Sequence, residues 1–217
     1  MKLADAYTLA CQVLEVIAPY CEQAEIAGSI RRGNKPNVKD IELVAVPQSL
    51  RTQMTLGDGP VADELDFFLR QLEANGEITR HTGADPRKWC WGPRHKKFLL
   101  ASDSGWQPIQ VDMYIVKPPA QWGAIFALRT GPAEFNLAIM SKVLPRRNLR
   151  HEDGRLVTAD GTPLPTPTER DYFTTLSLPY LRPSERTVEV IDRCVRVDLV
   201  QPYAHTGSAR PIQATLL

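Results

Sequence analysis

Two segments of the 217-residue chain, residues 39–46 and 108–116, alternate between apolar and polar side chains. Successive side chains of a strand point to opposite faces of its sheet, so this pattern is typical of strands with one face in a core. In the first segment Asp40 and Glu42 share a face, and in the second Asp112 projects away from its apolar neighbours. The sequence therefore predicts a sheet that carries three carboxylates.

A glycine-containing turn precedes the first acidic strand, where residues 27–36 read A-G-S-I-R-R-G-N-K-P. The backbone N–H groups of such a turn can hold a phosphate. A D-x-E pair alone is more often a solvated strand end than a metal site. Joined to this turn and to a third acid, the pair is typical of phosphoryl transfer assisted by divalent ions.

Further motifs follow these acids in a fixed order along the chain. The ordered elements are Gly28-Ser29 with Arg31-Arg32, Asp40-x-Glu42, Asp112, Arg129-Thr130-Gly131, Phe135-Asn136, and the segments 168–173 and 178–186. In this order they resemble the nucleotidyltransferase superfamily and, within it, the family X DNA polymerases. The resemblance covers roughly residues 3–187.

The resemblance implies an α+β fold class, with a nucleotidyltransferase palm whose mixed β-sheet is covered by helices, followed by a smaller α+β thumb subdomain. Residues 1–117 would form the palm, residues 118–187 the thumb that senses the nucleotide and the base pair, and residues 188–217 a C-terminal extension of unknown role. Apolar periodicity predicts the helices themselves. They span residues 3–17, 61–75, 121–129, 133–143, 168–176 and 188–197, and residues 48–59 are predicted as a loop.

The activity implied by the resemblance is that of a DNA-directed DNA polymerase. A primer 3′-hydroxyl would attack the α-phosphate of a nucleoside triphosphate and release pyrophosphate, in short-gap filling repair or lesion-tolerant synthesis of low fidelity. Asp40, Glu42 and Asp112 are the implied catalytic residues and the ligands of two Mg²⁺ ions, for which Mn²⁺ could substitute. Asp112 would lie beside the attacking hydroxyl and take its proton.

Two sets of substrate contacts are implied in the same way. The nucleotide-binding set is Gly28, Ser29, Arg32, Lys39, Thr130, Gly131 and Asn136. The DNA-binding set is Lys97, Gln110, Arg129 and Met140. Within the first set, Ser29 and Arg32 would hold the β and γ phosphates, and Asn136 would bond the minor-groove edge of the base.

Several departures from the family pattern alter these expectations. Leu128-Arg129 stands where an aromatic pair is usual, which predicts weak sugar discrimination and some use of ribonucleotides. Gln110 and Met140 stand where the family usually has basic residues, so we expect a lower affinity for DNA. Glu42 is one methylene longer than the usual aspartate, which favours manganese.

The peptide between Gly131 and Pro132 lies at a point where the family bends sharply through a cis bond. A cis peptide costs about 2.5–4 kcal/mol for ordinary residues and only about 0.5–1 kcal/mol before proline. We therefore predict that the Gly131-Pro132 peptide is cis.

Composition limits the remaining possibilities. The net charge of +1 means that DNA affinity must come from local clusters. The four cysteines have no paired spacing, so they are expected to be reduced and packed. The N-terminal apolar run is amphipathic and does not resemble a signal peptide, and no membrane span is expected. The basic clusters are Arg31, Arg32, Lys35 and Lys39, then Arg87, Lys88 and residues 94–97, then Arg146, Arg147 and Arg150.

The expected partners are a DNA primer-template or gapped DNA and deoxynucleoside triphosphates, with no membrane. The protein is expected to be a cytoplasmic monomer, nucleoid-associated in a bacterium or virus. No lyase activity is expected, because the chain shows no match to the modules that often precede the palm in this family. Two alternatives remain: a template-independent nucleotidyltransferase acting on nucleic acid or protein, and an inactive module that senses nucleotides or holds DNA.

Overall fold

The computed structural model describes residues 1–50, 55–56, 59–81, 90–101, 108–197, 199–201 and 203. Arg87 and Lys88 of the second basic cluster, and residues 198, 202 and 204–217 of the predicted C-terminal extension, lie outside the described residues. The chain divides into two compact units, Met1–Lys117 and Pro118–Leu217. Both helices and strands are present in each unit, so the α+β character predicted from the sequence is confirmed.

The first unit is built on a five-stranded sheet. Its elements in chain order are α1 (Leu3–Ile17), a 3₁₀ turn (Ala18–Tyr20), β1 (Cys21–Ile26), α2 (Gly28–Arg32), β2 (Asp40–Pro47), β3 (Thr55–Leu56), β4 (Gly59–Pro60), α3 (Glu64–Ala74), β5 (Ile78–Arg80), β6 (His95–Leu100) and β7 (Gln110–Ile115). The strand order is β1-β2-β7-β6-β5. The segment predicted as a loop over residues 48–59 contains a two-residue antiparallel ladder between β3 and β4.

The two acidic strands are neighbours at the centre of this sheet. β2 pairs with β7 in parallel, whereas β1 with β2, β6 with β7, and β5 with β6 are antiparallel, so the sheet is mixed. The register places Asp40 opposite Gln110 and Glu42 opposite Asp112. Neither pairing is visible in the sequence, because strands distant along the chain pair through contacts that local patterns do not encode.

The apolar positions of the two acidic strands form the core of the first unit, as their alternation predicts. Ile41 and Leu43 of β2 and Val111 and Met113 of β7 are fully buried. They pack with the apolar faces of the covering helices, including Ala6, Ala10, Leu65 and Leu69. This burial holds the backbone of both strands rigid. The side chains on the other face of these strands are therefore held in fixed positions as well.

A buried polar network fixes the start of α3. The carboxylate of Asp63 accepts a hydrogen bond from the N–H of Asp66 at 2.7 Å and so caps the helix. The Asp66 carboxylate lies 2.5 Å from Lys96 Nζ and accepts a bond from Arg70. Burial acts to raise the pKa of Asp66, but the contacts with Lys96, the N–H of Ala62 and Arg70 together outweigh it, and the pKa is lowered overall. The helix therefore begins at Glu64, three residues later than predicted.

The second unit combines short helices with a three-stranded antiparallel sheet. Its elements are α4 (Trp122–Thr130), α5 (Ala133–Ala138), a π-helix (Ile139–Val143), α6 (Leu144–Arg147), β8 (Leu149–Glu152), β9 (Arg155–Thr158), β10 (Pro163–Leu164), α7 (Glu169–Thr175), a 3₁₀ turn (Pro183–Glu185) and α8 (Val188–Arg196). The strand order is β10-β9-β8. The helix predicted over residues 133–143 is continuous in the structure but changes to π geometry at Ile139.

Residues beyond 187 belong to the core of the second unit. Ile191 and Cys194 of α8 are buried in the same cluster as Phe135 and Phe173. Thr187 begins α8 by accepting a hydrogen bond from the N–H of Val190. The first part of the predicted C-terminal extension is therefore integral to the second unit.

A buried ion pair lies near the segment between α7 and α8. Arg186 Nη2 is 2.8 Å from Glu169 Oε1, and the guanidinium also donates to the carbonyl of Leu181. It lies 5.0 Å from the ring centre of Phe173. The hydroxyl of Tyr180 donates a hydrogen bond to Glu169 Oε2 at 3.0 Å. These contacts tie the end of the matching segment 178–186 to α7.

The predicted cis peptide at Gly131-Pro132 is wrong, because the one cis peptide among the described residues is Pro118-Pro119. Extended backbone at Gly131 (ψ 142°) and Pro132 (ψ 153°) turns the chain from α4 into α5 instead. The side chain of Asn136 holds this turn, since its Nδ2 donates to the carbonyls of Leu128 at 2.7 Å and Gly131 at 3.2 Å.

Candidate active site

Glu42 and Asp112 face each other across the central strand pair of the first unit. They occupy directly opposed positions in the parallel ladder of β2 and β7, and such strands lie about 4.8 Å apart. Asp40 is two residues before Glu42, on the same face of β2. The sheet thus places the three acids that the sequence singled out on one face of two neighbouring strands.

The start of α2 is in contact with Glu42. Gly28 has φ +60°, and a Cβ built on it would lie 1.6 Å from Glu42 Oε2, so no larger residue fits beside this carboxylate. The backbone N–H of Ser29 donates to the same carboxylate, and the N–H of Ala27 donates to the Glu42 carbonyl at 2.8 Å. The Gly-Ser turn is therefore fitted to the acidic strand.

The Asp112 carboxylate has polar partners on both oxygens. His95 Nε2 lies 2.9 Å and Lys97 Nζ 3.3 Å from Oδ1, and Gln110 donates to Oδ2. Burial acts to raise the pKa of Asp112, but the contacts with His95, Gln110 and Lys97 lower it overall. Asp112 is therefore held in its ionised form.

The other two acids carry the opposite shift. Burial raises the pKa of Asp40, and the charge of Asp112 raises it further. Burial and then the charge of Asp40 raise the pKa of Glu42, while Arg32 and the N–H of Ser29 act against the increase. Burial is the larger cause of both shifts, and repulsion among the carboxylates adds to it, so this face carries an excess of negative charge.

This donor set has the chemistry of a site for a hard divalent cation, because carboxylate oxygens are the ligands that Mg²⁺ and Mn²⁺ prefer. The mutual repulsion shown by Asp40 and Glu42 is also what a cation would relieve. Within the described part of the chain, however, no three Asp, Glu, His or Cys side chains are gathered closely enough to form a ready metal site. The Asp112 oxygens instead face His95, Lys97 and Gln110.

Two of the basic residues predicted near the phosphate turn act on the acids. Arg32 ends α2 and interacts electrostatically with Glu42. Lys39 is exposed immediately before β2 and acts on Asp40. Together with Gly28 and Ser29, they are the members of the predicted nucleotide-binding set that lie in the first unit.

The remaining members of the predicted sets lie in the second unit. Thr130 and Gly131, at the end of α4, are buried, and Asn136 is half-buried. Arg129 and Met140 are exposed. Both amide hydrogens of Asn136 are directed at backbone carbonyls, so a base contact through Nδ2 would have to replace one of those bonds.

Two residues of the site were not singled out by the sequence. His95 was grouped with surface basic residues and Cys90 with packed thiols, yet Cys90 Sγ lies 2.8 Å from His95 Nδ1, and His95 in turn contacts Asp112. In the antiparallel register, Lys97 pairs with Asp112 and His95 with Tyr114. The period of two along β6 would have placed His95 beside Asp112 had the pairing of β6 with β7 been known.

Two comparisons with known proteins agree with this picture. Residues 126–187 match the family model of the DNA polymerase beta thumb. The chain is also 28% identical over 176 residues to DNA polymerase lambda of Rattus norvegicus, an alignment that covers 73% of the chain and 28% of that relative. The chain thus spans little more than a quarter of the relative's length.

An acidic mixed sheet is thus followed along the chain by a segment that matches a polymerase thumb. In these two features the chain is similar to the family X DNA polymerases. Among the described residues, no helix combines the length and the hydropathy that crossing a bilayer requires.

Proposed function

We propose that the chain is a DNA-directed DNA polymerase that adds deoxynucleotides to a primer 3′-hydroxyl and releases pyrophosphate. The observation that carries the proposal is the opposed pair Glu42 and Asp112, with Asp40 beside them and the Ser29 turn bonded to Glu42. The match of residues 126–187 to a polymerase thumb supports the choice of nucleic acid as substrate.

In this proposal the first unit is the palm and the second unit the thumb. The palm would comprise residues 1–117 and the thumb residues 118–187, and α8 would support the thumb from within its core. The proposed role is short-gap filling or lesion-tolerant synthesis of low fidelity. DNA and deoxynucleoside triphosphates are the proposed partners.

Asp40, Glu42 and Asp112 would hold two Mg²⁺ ions, with Mn²⁺ able to substitute. When bound, the ions supply positive charge that stabilises the attacking and leaving oxygens. Asp112 is ionised and can accept the proton of the primer hydroxyl, although its lowered pKa makes it a weak base. The repulsion among the three carboxylates, which adds to the effect of burial on the pKa values of Asp40 and Glu42, would be relieved by a bound cation.

Phosphate contacts in the first unit would come from the residues next to Glu42. The Ser29 N–H is used by the Glu42 carboxylate, so the hydroxyl of Ser29 and the guanidinium of Arg32 are the proposed triphosphate ligands. Lys39 would add charge from the edge of β2. Gly28 acts by allowing the close approach of turn and strand.

For the second unit, Thr130, Gly131 and Asn136 remain proposed nucleotide contacts. The Asn136 side chain already braces the turn after α4. The proposed DNA contacts, listed together, are Lys97 and Gln110 in the first unit and Arg129 and Met140 in the second. Of these, Lys97 forms a salt bridge and Gln110 a hydrogen bond with the Asp112 carboxylate. Replacing either would therefore change both the surroundings of Asp112 and the affinity for DNA.

Primer extension on a one-nucleotide gap tests this proposal. We expect incorporation of the complementary nucleotide with Mg²⁺ or Mn²⁺, and much slower incorporation of the other three. Glu42→Gln is the matched inactive control, because it removes one charge and keeps the shape. Equal addition of all four nucleotides to a lone single strand would replace the proposal with the template-independent transferase, and no incorporation on either substrate would overturn both.

A further inference from the structure

Three side chains form a continuous line of polar contacts that ends at Asp112. Cys90 Sγ lies 2.8 Å from His95 Nδ1, and His95 Nε2 lies 2.9 Å from Asp112 Oδ1. The imidazole also stacks on the ring of Tyr114, with ring centres 4.5 Å apart and an interplanar angle of 16°. The position of the His95 ring is thus defined at both nitrogens and on one face.

The backbone places Cys90 where it can reach this ring. The N–H of Lys97 donates to the Cys90 carbonyl at 2.6 Å, and the N–H of Gly92 donates to the His95 carbonyl at 2.8 Å. Trp91 and Lys96 form a bridge between these two bonds. Cys90 is therefore tied to the start of β6, the strand that carries His95.

Proton positions along the line are complementary when the imidazole is neutral. A neutral imidazole has one nitrogen that donates and one that accepts. The ionised Asp112 carboxylate can only accept, so it requires the proton on Nε2, and Nδ1 is then the acceptor for the thiol of Cys90. Each contact then joins a donor to an acceptor, with S–H donating to Nδ1 and Nε2–H donating to Oδ1.

We infer that Cys90 and His95 are positioning residues for Asp112: Cys90 holds the His95 ring through its hydrogen bond to Nδ1, and His95 fixes the orientation of the carboxylate. Lys97 and Gln110 also bond this carboxylate, but their side chains are flexible, whereas the His95 ring is held by stacking. The inference rests on the proposed function insofar as Asp112 serves catalysis. The hydrogen bond at Nδ1 can be measured without any activity.

Cys90 differs from two other cysteines in its surroundings. Cys21 and Cys194 are buried, and burial raises the pKa of both thiols. Cys90 is only half-buried and has a ring nitrogen as its partner. A thiol that merely fills space in an apolar core would not need such a partner.

Nitrogen NMR of ¹⁵N-histidine-labelled protein tests the first step. The chain has four histidines, so the His95 signals are assigned by their loss in His95→Gln. At mildly alkaline pH we expect the Nε2–H tautomer in the wild type and in both Cys90 variants, because Asp112 requires it. In Cys90→Ala we expect the Nδ1 signal to move downfield, because the unprotonated nitrogen loses its hydrogen bond, whereas Cys90→Ser keeps a donor and should stay near the wild-type shift. An unchanged Nδ1 signal in Cys90→Ala would overturn the role of the thiol.

Gap filling by the same variants tests the second step. We expect His95→Ala to lower kcat about tenfold while KM for the nucleotide is unchanged, as is typical when a residue that orients a metal ligand is lost. Cys90→Ala should show a smaller decrease that Cys90→Ser restores. Wild-type rates in His95→Ala would overturn the inference. A wild type as inactive as Glu42→Gln would instead overturn the proposed function, while the NMR result would still decide whether Cys90 holds the His95 ring.

Discussion

Single residues decide how closely the turn before β2 can approach the acids. Gly28 combines a left-handed backbone with a carboxylate where its Cβ would be, whereas Gly33 has a similar φ of +65° and no atom within 4 Å of a built Cβ. A comparison of the two glycines therefore distinguishes the cost of a left-handed backbone, which both positions share, from the cost of steric overlap, which arises only at Gly28. Glu42 depends on the first of them, because its carboxylate occupies the space that a side chain at Gly28 would need.

Replacing each glycine with alanine should give unequal losses of stability. Gly33→Ala should lower the free energy of unfolding by about 1–2 kcal/mol, the cost of a left-handed L-residue. Gly28→Ala should cost at least about 1 kcal/mol more, because Glu42 must also move. Urea unfolding of both variants measures the difference, and equal losses would show that Glu42 does not lie against Gly28.

Removing one charge from the acidic face should stabilise the metal-free protein. The raised pKa of Asp40 means that its folded form binds a proton more readily than the unfolded form. Stability from this group is therefore present below the unfolded pKa and is lost as pH rises through the raised folded pKa. At neutral pH we expect Asp40→Asn to add about 1 kcal/mol, or about 2–4 °C in Tm.

Glu25→Gln, at an exposed position of β1, is the control for Asp40→Asn and should leave Tm nearly unchanged. Saturating Mn²⁺ should raise the Tm of the wild type more than that of Asp40→Asn, because the ion compensates a repulsion that the variant lacks. A lower Tm for Asp40→Asn in metal-free buffer would contradict the electrostatic interpretation of the site.

Among the helices and strands, the sequence predicted those features that neighbouring residues along the chain determine. The helices α3, α7 and α8 lie within a few residues of their predicted bounds, because amphipathic spacing and caps such as Thr168 are encoded nearby. The alternation of β2 and β7 identified the acids. The pairing of β6 with β7, which brings His95 to Asp112, depends on contacts between distant strands. The π geometry after Ala138 likewise has no local signal that we can name.

Two ion pairs of the second unit should differ in their contribution to the free energy of unfolding, because one is more deeply buried than the other. Arg186 and Glu169 are almost fully buried, with a contact of 2.8 Å, while Lys142 and Asp192 are only partly buried, with a contact of 2.5 Å. Arg186→Met should lower the free energy of unfolding by about 3–5 kcal/mol, because it removes the cation beside a buried carboxylate. Lys142→Met should cost less than about 1 kcal/mol.

The double variant Arg186→Met with Glu169→Gln should regain a large part of the stability lost by Arg186→Met, since it no longer buries a lone charge. Chemical denaturation of the three variants gives these differences. Similar losses for Arg186→Met and Lys142→Met would show that the Arg186 contact is not desolvated as the structure indicates.

At the scale of the whole molecule, the two units should respond to acid in opposite ways. Protonation relieves repulsion between Asp40 and Glu42 in the first unit. In the second unit, burial lowers the pKa of His151 from 6.5 to about 4, and its Nε2 lies 3.0 Å from the hydroxyl of Tyr172. The second unit should therefore weaken with acid over a range in which the carboxylates of the first unit do not.

His151 should make the stability of the second unit depend on pH. Because its folded pKa is depressed, its contribution is present above the unfolded value of 6.5 and is lost as pH falls toward about 4. The full loss is on the order of 3 kcal/mol. His151→Gln should flatten this part of the pH profile, measured by urea unfolding, and an unchanged slope would assign the effect to other groups.

We propose that the acidic face of the first unit carries out nucleotidyl transfer, and the sharpest test is the single-turnover rate of gap filling by Asp112→Asn at saturating Mn²⁺. We expect this rate to fall about a thousandfold relative to the wild type, equivalent to about 4 kcal/mol of transition-state stabilisation. A rate equal to that of the wild type, with Mn²⁺ binding intact, would show that the reaction does not take place at this face.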